Sequence, residues 1–476
     1  MTGSRARSSI VTGEQTFAEP GLADMKAAVR IVSALGATLA LLAPAIWNGF
    51  PFLQYDTGGY LARWFEGTLV ESRSVVYGLL VAAGWPLDFW PVVALQAAAT
   101  VWIVALVLRS YGFGDRPWVL LGVIVGLSLT TTLPWIAGIL LTDIFAGLAV
   151  LALHLVVMRP DTPSRNERIA LVIFIAFAGA THSATFAVLV GLAIVALAMS
   201  LIDRRIVAPL GVARAAFAVV LSAVMLLAAD FAVSGRLAWT PGGYGIVFAR
   251  MLQDGIVARF LEAHCAQRHF KLCPYRRDLP ATADAFLWGG GVFDKLGRFD
   301  GLDEEMRTIV IESLAEYPGT QIEDALVASA KQLFSVANGE GVLTTIWHTY
   351  GIMERYTPSV LPAMRAARQQ HDEVHFAAIN AVQVPLALAA MAALPLLIVV
   401  GLRRRALFDL GLLAGTVSLA ILGNAVVCGA ISNPHDRYGA RLAWVPVLIA
   451  ILVALRRAEM TAAMPADGPA TAAAPG

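Results

Sequence analysis

Long apolar runs recur at about 27–47, 85–108, 117–133, 138–158, 168–181, 183–202, 211–233, 376–400, 407–429 and 439–456. Most approach or exceed the roughly 20 residues that span a bilayer core. The short ones, 117–133 and 168–181, are parted from their successors by Pro134 and His182. The pattern predicts an all-α polytopic membrane protein with about ten transmembrane helices. The first run is too long for a signal-peptide core and lacks a small-residue cleavage site, so it reads as a retained helix.

Between 234 and 375 the apolar runs stop. Glu304–Tyr317 and Ile322–Val336 carry apolar residues at three- and four-residue spacing, which predicts helices. Gly289–Gly291 and Pro318–Gly319 mark breaks. A mainly helical domain, 234–375, is therefore expected between the seventh and eighth spans. The membrane part divides into 27–233, with a first loop at 48–84, and 376–457. The tails 1–26 and 458–476 read as disordered on composition.

Charge sets the orientation. Arg5, Arg7, Lys26 and Arg30 precede the first span, and Arg-rich connections follow at Arg109–Arg116, Arg159–Arg168, Arg204–Arg214, Arg403–Arg405 and Arg456–Arg457. Alternation with cytoplasmic arginines puts both termini inside and the inserted domain outside, as in a bacterial inner membrane protein with a periplasmic domain. Composition agrees: 58% of the 476 residues are hydrophobic and 14% charged, against about 25% charged in soluble domains. A net charge of +1 with no basic tract argues against a nucleic-acid partner.

Ionisable residues at membrane depth are costly and mark functional candidates, and they group on the outer side. Asp56 follows the first span in an aromatic- and glycine-rich loop, where a carboxylate suits a general base. Arg73 suits a phosphate, because its planar guanidinium engages two oxygens. Before the last span comes His435-Asp436-Arg437-Tyr438-Gly-Ala-Arg441. Its two arginines share one helical face and could hold a phosphate or pyrophosphate. Asp143 is a second acid near the outer start of a span, and His182 occupies the next outer turn. Structural roles are also open: Asp56, Asp143 and Asp436 as helix caps, His182 as a packing residue, and the arginines against lipid phosphates. Cys265 and Cys273 lie close enough for a disulfide in an oxidising compartment. No P-loop, dinucleotide fingerprint or nucleophile elbow is present. No compact acidic ligand set demands a divalent metal, although one is allowed.

An Asp in the first outer loop (Asp56), an Arg-x3-Tyr element after it (Arg73, Tyr77) and an Arg-Tyr at the last span (Arg437, Tyr438) resemble the GT-C superfamily of integral-membrane glycosyltransferases. The resemblance covers roughly 27–158 and the last span. It implies transfer of a sugar from a polyprenyl-phosphate donor to a lipid or glycan acceptor on the outer face. The transfer would invert the anomeric centre by direct displacement, with Asp56 as base. It also implies basic residues that hold the lipid phosphate, matched here by Arg73 and Arg437 beside Tyr77 and Tyr438; Arg441, Asp143, His182 and His435 join them as candidates on the reading of the residues above. The family's adjacent acid pair has no counterpart beside Asp56, and the large domain interrupts the chain instead of following its last helix. The competing classes are a transporter or flippase of an envelope substrate and a non-catalytic scaffold.

Overall fold

A computed structural model describes residues 22–240 and 243–462. Among the described residues the chain is all-helical, with two isolated bridges and no β-strand. The first helix, α1, runs Leu22–Asn48, and a loop leads to the short helices α2 (Thr57–Glu66) and α3 (Val75–Gly84). Then come α4 (Trp90–Ser110), α5 (Pro117–Thr130), α6 (Leu133–Ala137), α7 (Asp143–Met158), α8 (Arg165–Thr181), α9 (Ser183–Ile202) and α10 (Pro209–Ser234). The insertion carries α11 (Gly243–Gln253), α12 (Ile256–His264), α13 (Ala283–Trp288), α14 (Val292–Lys295), α15 (Arg298–Glu316), α16 (Pro318–Phe334), α17 (Trp347–Tyr356) and α18 (Leu361–Ala366). The last three are α19 (Phe376–Arg403), α20 (Phe408–Val426, continued by a π-helical turn, Val427–Ser432) and α21 (Asp436–Ala462).

Among the described residues, seven helices are long and apolar enough to cross a membrane: α1, α4, α9, α10, α19, α20 with its π-turn, and α21. The other three apolar segments are helical but shorter. At 1.5 Å per residue, α5 and α7 reach only about 21 and 24 Å. Irregular chain from Thr131 to Thr142, broken once by α6, separates them, and extended backbone at His182 ends α8. Helix α7 is the centre of the bundle, with every residue from Asp143 to Val157 buried. The tails expected at 1–26 and 458–476 lie largely outside the described residues. Where they are described, at 22–26 and 458–462, they continue α1 and α21.

The insertion expected as one domain divides in two. Helices α11 to α15 close their own core around Phe248, Phe260, Phe286, Phe293, Met306 and Ile309, and Cys265 and Cys273 form a disulfide beside it. Beyond Tyr317 the chain belongs to the membrane bundle instead: Ile346, Tyr350, Met353, Val360 and Met364 join the bundle's core. Helix α16 lies against α20 and its π-turn, close enough that a Cβ on Gly429 would stand 2.7 Å from the Ala328 carbonyl oxygen. The exposed stripe Ile322, Leu326 and Phe334 repeats at helical spacing on its other side.

Two polar clusters sit at opposite ends of the bundle. At one end, His154 of α7 bonds Tyr111 (3.1 Å) and Thr416 (3.0 Å), while Asp409 faces Arg159 (3.6 Å) and Arg456 (3.4 Å). The other end begins with Asp143, eleven residues earlier on α7 and about 16 Å away along it.

Candidate functional site

The site is built on the loop 49–56, which is stitched to its neighbours by backbone bonds. Phe52 pairs with the α6–α7 connection, its N–H donating to Gly138 O (3.0 Å) and its carbonyl accepting from Leu140 N (3.0 Å). From the insertion, Gln369 bonds both the N–H (3.0 Å) and the C=O (2.7 Å) of Leu53, and Thr349 Oγ1 donates to Gln54 O (3.2 Å). Gly58 is required here, since a Cβ would stand 2.7 Å from the Thr349 Cα. These bonds fix Asp56 at the N-terminus of α2, yet its side chain caps nothing.

Both oxygens of Asp56 are instead taken by arginines. Oδ1 accepts from Arg73 Nη2, and Oδ2 accepts from Arg437 Nη1 at 2.5 Å. Asp56 is 4% exposed and Arg437 8%, so this is a buried carboxylate bridging two guanidinium groups. Burial alone would push the Asp56 carboxyl up, but Arg73 and Arg437 outweigh it and hold it below the usual carboxylate range. Arg73 also lies over the ring of Tyr60 (5.8 Å).

Arg437 and Arg441 open α21, one turn apart. The segment 335–342 wraps this N-terminus: Glu340 accepts from the Arg437 N–H (2.9 Å), and Asp436 accepts from Ala337 N (3.1 Å). Arg441 points deeper. Its Nε donates to Asn424 Oδ1 (2.9 Å), and its terminal nitrogens reach Cys428 Sγ (3.1 Å) and His182 Nδ1 (3.3 Å). Asp143 Oδ1 stands 3.9 Å from Arg441, too far for a hydrogen bond, and has no hydrogen-bond partner among the described residues. Tyr438 lies between the arginines, 4.9 Å from Arg437 and 5.5 Å from Arg441.

The sequence candidates thus separate. Asp56, Arg73, Asp143, His182, Arg437, Tyr438 and Arg441 converge on one cluster. Tyr77 supports it from below: its hydroxyl donates to Gln96 (3.1 Å), whose amide holds the carbonyls of Ala137 and Ile139 (2.9 Å each). His435 is a latch between elements, with Nδ1 on Glu340 and Nε2 3.6 Å from Asp284 of α13. Burial would lower its pKa, but those two carboxylates outweigh it and raise it to about 9. Sequence reasoning missed Glu340, Asn424 and Tyr60. Glu340 lies in irregular chain where periodicity gives no signal, and Asn424 reads as one polar residue in an apolar span.

A narrow cleft opens beside the cluster. Asp143, Glu340 and Arg437 supply its polar wall, while Phe52, Trp135, Ile136 and Phe376 supply an apolar one. Among the described residues, no three His, Cys, Asp or Glu side chains gather as a metal site. No protein-family model, curated protein or solved structure matches this chain.

Proposed function

We propose that this protein is a membrane glycosyltransferase that moves a sugar from a polyprenyl-phosphate donor to a hydroxyl acceptor. The observation that carries the reading is the buried Asp56 carboxylate held between Arg73 and Arg437, the second of which lines a half-apolar cleft. An unliganded site built for a phosphodiester needs cations at that depth, and an internal carboxylate keeps two of them neutralised until the ligand arrives. The apolar wall suits the first units of a prenyl chain, and the arginines suit the phosphate.

In the transfer, the acceptor hydroxyl gives its proton to Asp56 while its oxygen bonds the anomeric carbon. The bond from that carbon to the phosphate oxygen breaks on the opposite face, and the lipid phosphate leaves with the electron pair. Inversion follows from a single displacement. A carboxylate engaged by two guanidiniums is a poor base; passing Arg437 to the donor phosphate frees one oxygen and raises its basicity. The arginines then stabilise the charge that develops on the leaving phosphate.

The topology that fits this reading has ten crossings, with α5, α7 and α8 included, both termini cytoplasmic and the insertion periplasmic in a bacterial inner membrane. The Arg-rich connections support it, and a disulfide in α11–α15 suits an oxidising compartment. Glycan and lipid-linked sugar profiling of cells carrying Asp56→Asn tests the function at matched membrane levels of protein. Accumulated polyprenyl-phosphate sugar with loss of one product is expected. An unchanged profile in both this variant and a deletion strain would reject it.

A further inference from the structure

A second, narrow cleft lies on the other side of Arg73 and opens to solvent. It is lined by Ser72, Arg73, His182, Leu226, Asp230 and Trp239 among others. Asp230 belongs to α10, one turn before its end, and is 5% exposed. Among the described residues its carboxylate has neither a hydrogen bond nor an ion pair, although Ser234 Oγ donates to its main-chain oxygen. A buried, unpartnered carboxylate is costly, so its retention at a cleft wall points to a ligand that completes it.

The remaining wall selects the ligand's chemistry. Arg441 donates to His182 Nδ1, which makes that nitrogen the acceptor and leaves the proton of the neutral ring on Nε2 as a donor. The Trp239 indole is held by its N–H on Ser183 Oγ (3.2 Å) and by Phe186, with ring centroids 4.7 Å apart. The cleft therefore combines one acceptor carboxylate, donors from His182 and Arg73, and an aromatic plate. Arg73 disfavours a cation and Asp230 disfavours an anion. A neutral ring with adjacent hydroxyls on its edges and C–H groups on its face satisfies all four.

We propose that this second cleft binds a neutral saccharide ring, with Asp230 accepting from its hydroxyls and Trp239 packing on its face. As the acceptor side of the transfer it rests on the transferase reading; as a saccharide site it does not. Arg73 then joins the two, lining this cleft and bonding Asp56 Oδ1, and it releases that oxygen when a bound hydroxyl reaches the base.

Saturation-transfer NMR on the full chain in nanodiscs tests this, using methyl α-D-glucopyranoside, methyl β-D-galactopyranoside and methyl α-D-arabinofuranoside as probes and choline as the cationic comparison. At least one glycoside should give ring-proton signal. Affinity should fall about tenfold in Asp230→Asn, as for one lost bond to a charged group, and Asp230→Glu should restore part of it. Asp56→Asn should keep the glycoside signal while losing transfer, which separates the two readings. Absence of any glycoside signal, an equal signal in wild type and Asp230→Asn, or an Asp230-dependent signal from choline in place of the sugars would each overturn the proposal. Matched melting of Asp230→Asn and wild type excludes misfolding as the cause.

Discussion

The two polar clusters at opposite ends of α7 differ in how completely they are satisfied. Around His154, the imidazole, Tyr111, Thr416, Asp409, Arg159 and Arg456 all find partners. Around Asp143 the network is less complete: among the described residues Asp143 Oδ1 and Arg437 Nε are buried without a hydrogen-bond partner, and one carboxylate, Asp56, is shared by two arginines. Closed polar networks in a low-dielectric interior rigidify a fold, whereas unpaired buried polar groups cost it free energy. The same helix thus carries a closed polar network at one end and the candidate site at the other, and substitutions should separate them.

Arg437→Met should have the largest effect. Breaking a buried pair from one side costs about 3–5 kcal/mol, visible as an earlier unfolding midpoint in detergent, and donor binding should fall with it. Loss of binding without loss of stability would mean that the Asp56 bridge contributes little to the fold. Next, Cys265→Ser should destabilise α11–α15 by about 2–3 kcal/mol, as expected for a short closed loop. Limited proteolysis should then cut within 243–317 and spare the bundle. A uniform loss of protection would contradict the two separate cores.

Asp409→Asn tests the closed end. Its partly exposed pairs are worth about 1 kcal/mol, so the melting midpoint should drop slightly while turnover per folded molecule stays unchanged. The smallest effect concerns pH. The His435 pKa is raised, so the stability it adds is fully present below its ordinary 6.5 and is lost as pH rises through about 9. At acid pH the lowered Glu340 and Asp284 carboxyls act in the opposite sense, losing their contribution as they protonate. Amide-exchange protection at α13 should therefore fade between pH 7 and 9.5 and be flat there in His435→Gln.

The apolar runs made the helices legible, because a span needs length and composition that no short-range context overrides. The charged residues of the site were legible for the same reason, since Asp56, Arg73, Asp143, Arg437 and Arg441 stand out against apolar sequence. Their pairing was not. Asp56 and Arg437 are 381 positions apart, and what brings them together is the loop's bonding to Thr349 and Gln369, which no periodicity announces. The division of the insertion near Tyr317 was hidden too. Helices α15 and α16 both look amphipathic, and only packing reveals that one faces its own core and the other the bundle.

The most direct test of the account is transfer of labelled sugar from a polyprenyl-phosphate donor by purified protein in nanodiscs, with wild type, Asp56→Asn and Asp409→Asn measured side by side. Loss of the base should lower turnover by about 10²–10⁴ in Asp56→Asn, while Asp409→Asn keeps the wild-type rate. Equal rates in wild type and Asp56→Asn, or equal losses in both variants, would contradict a site at one end of α7 and a closed polar network at the other.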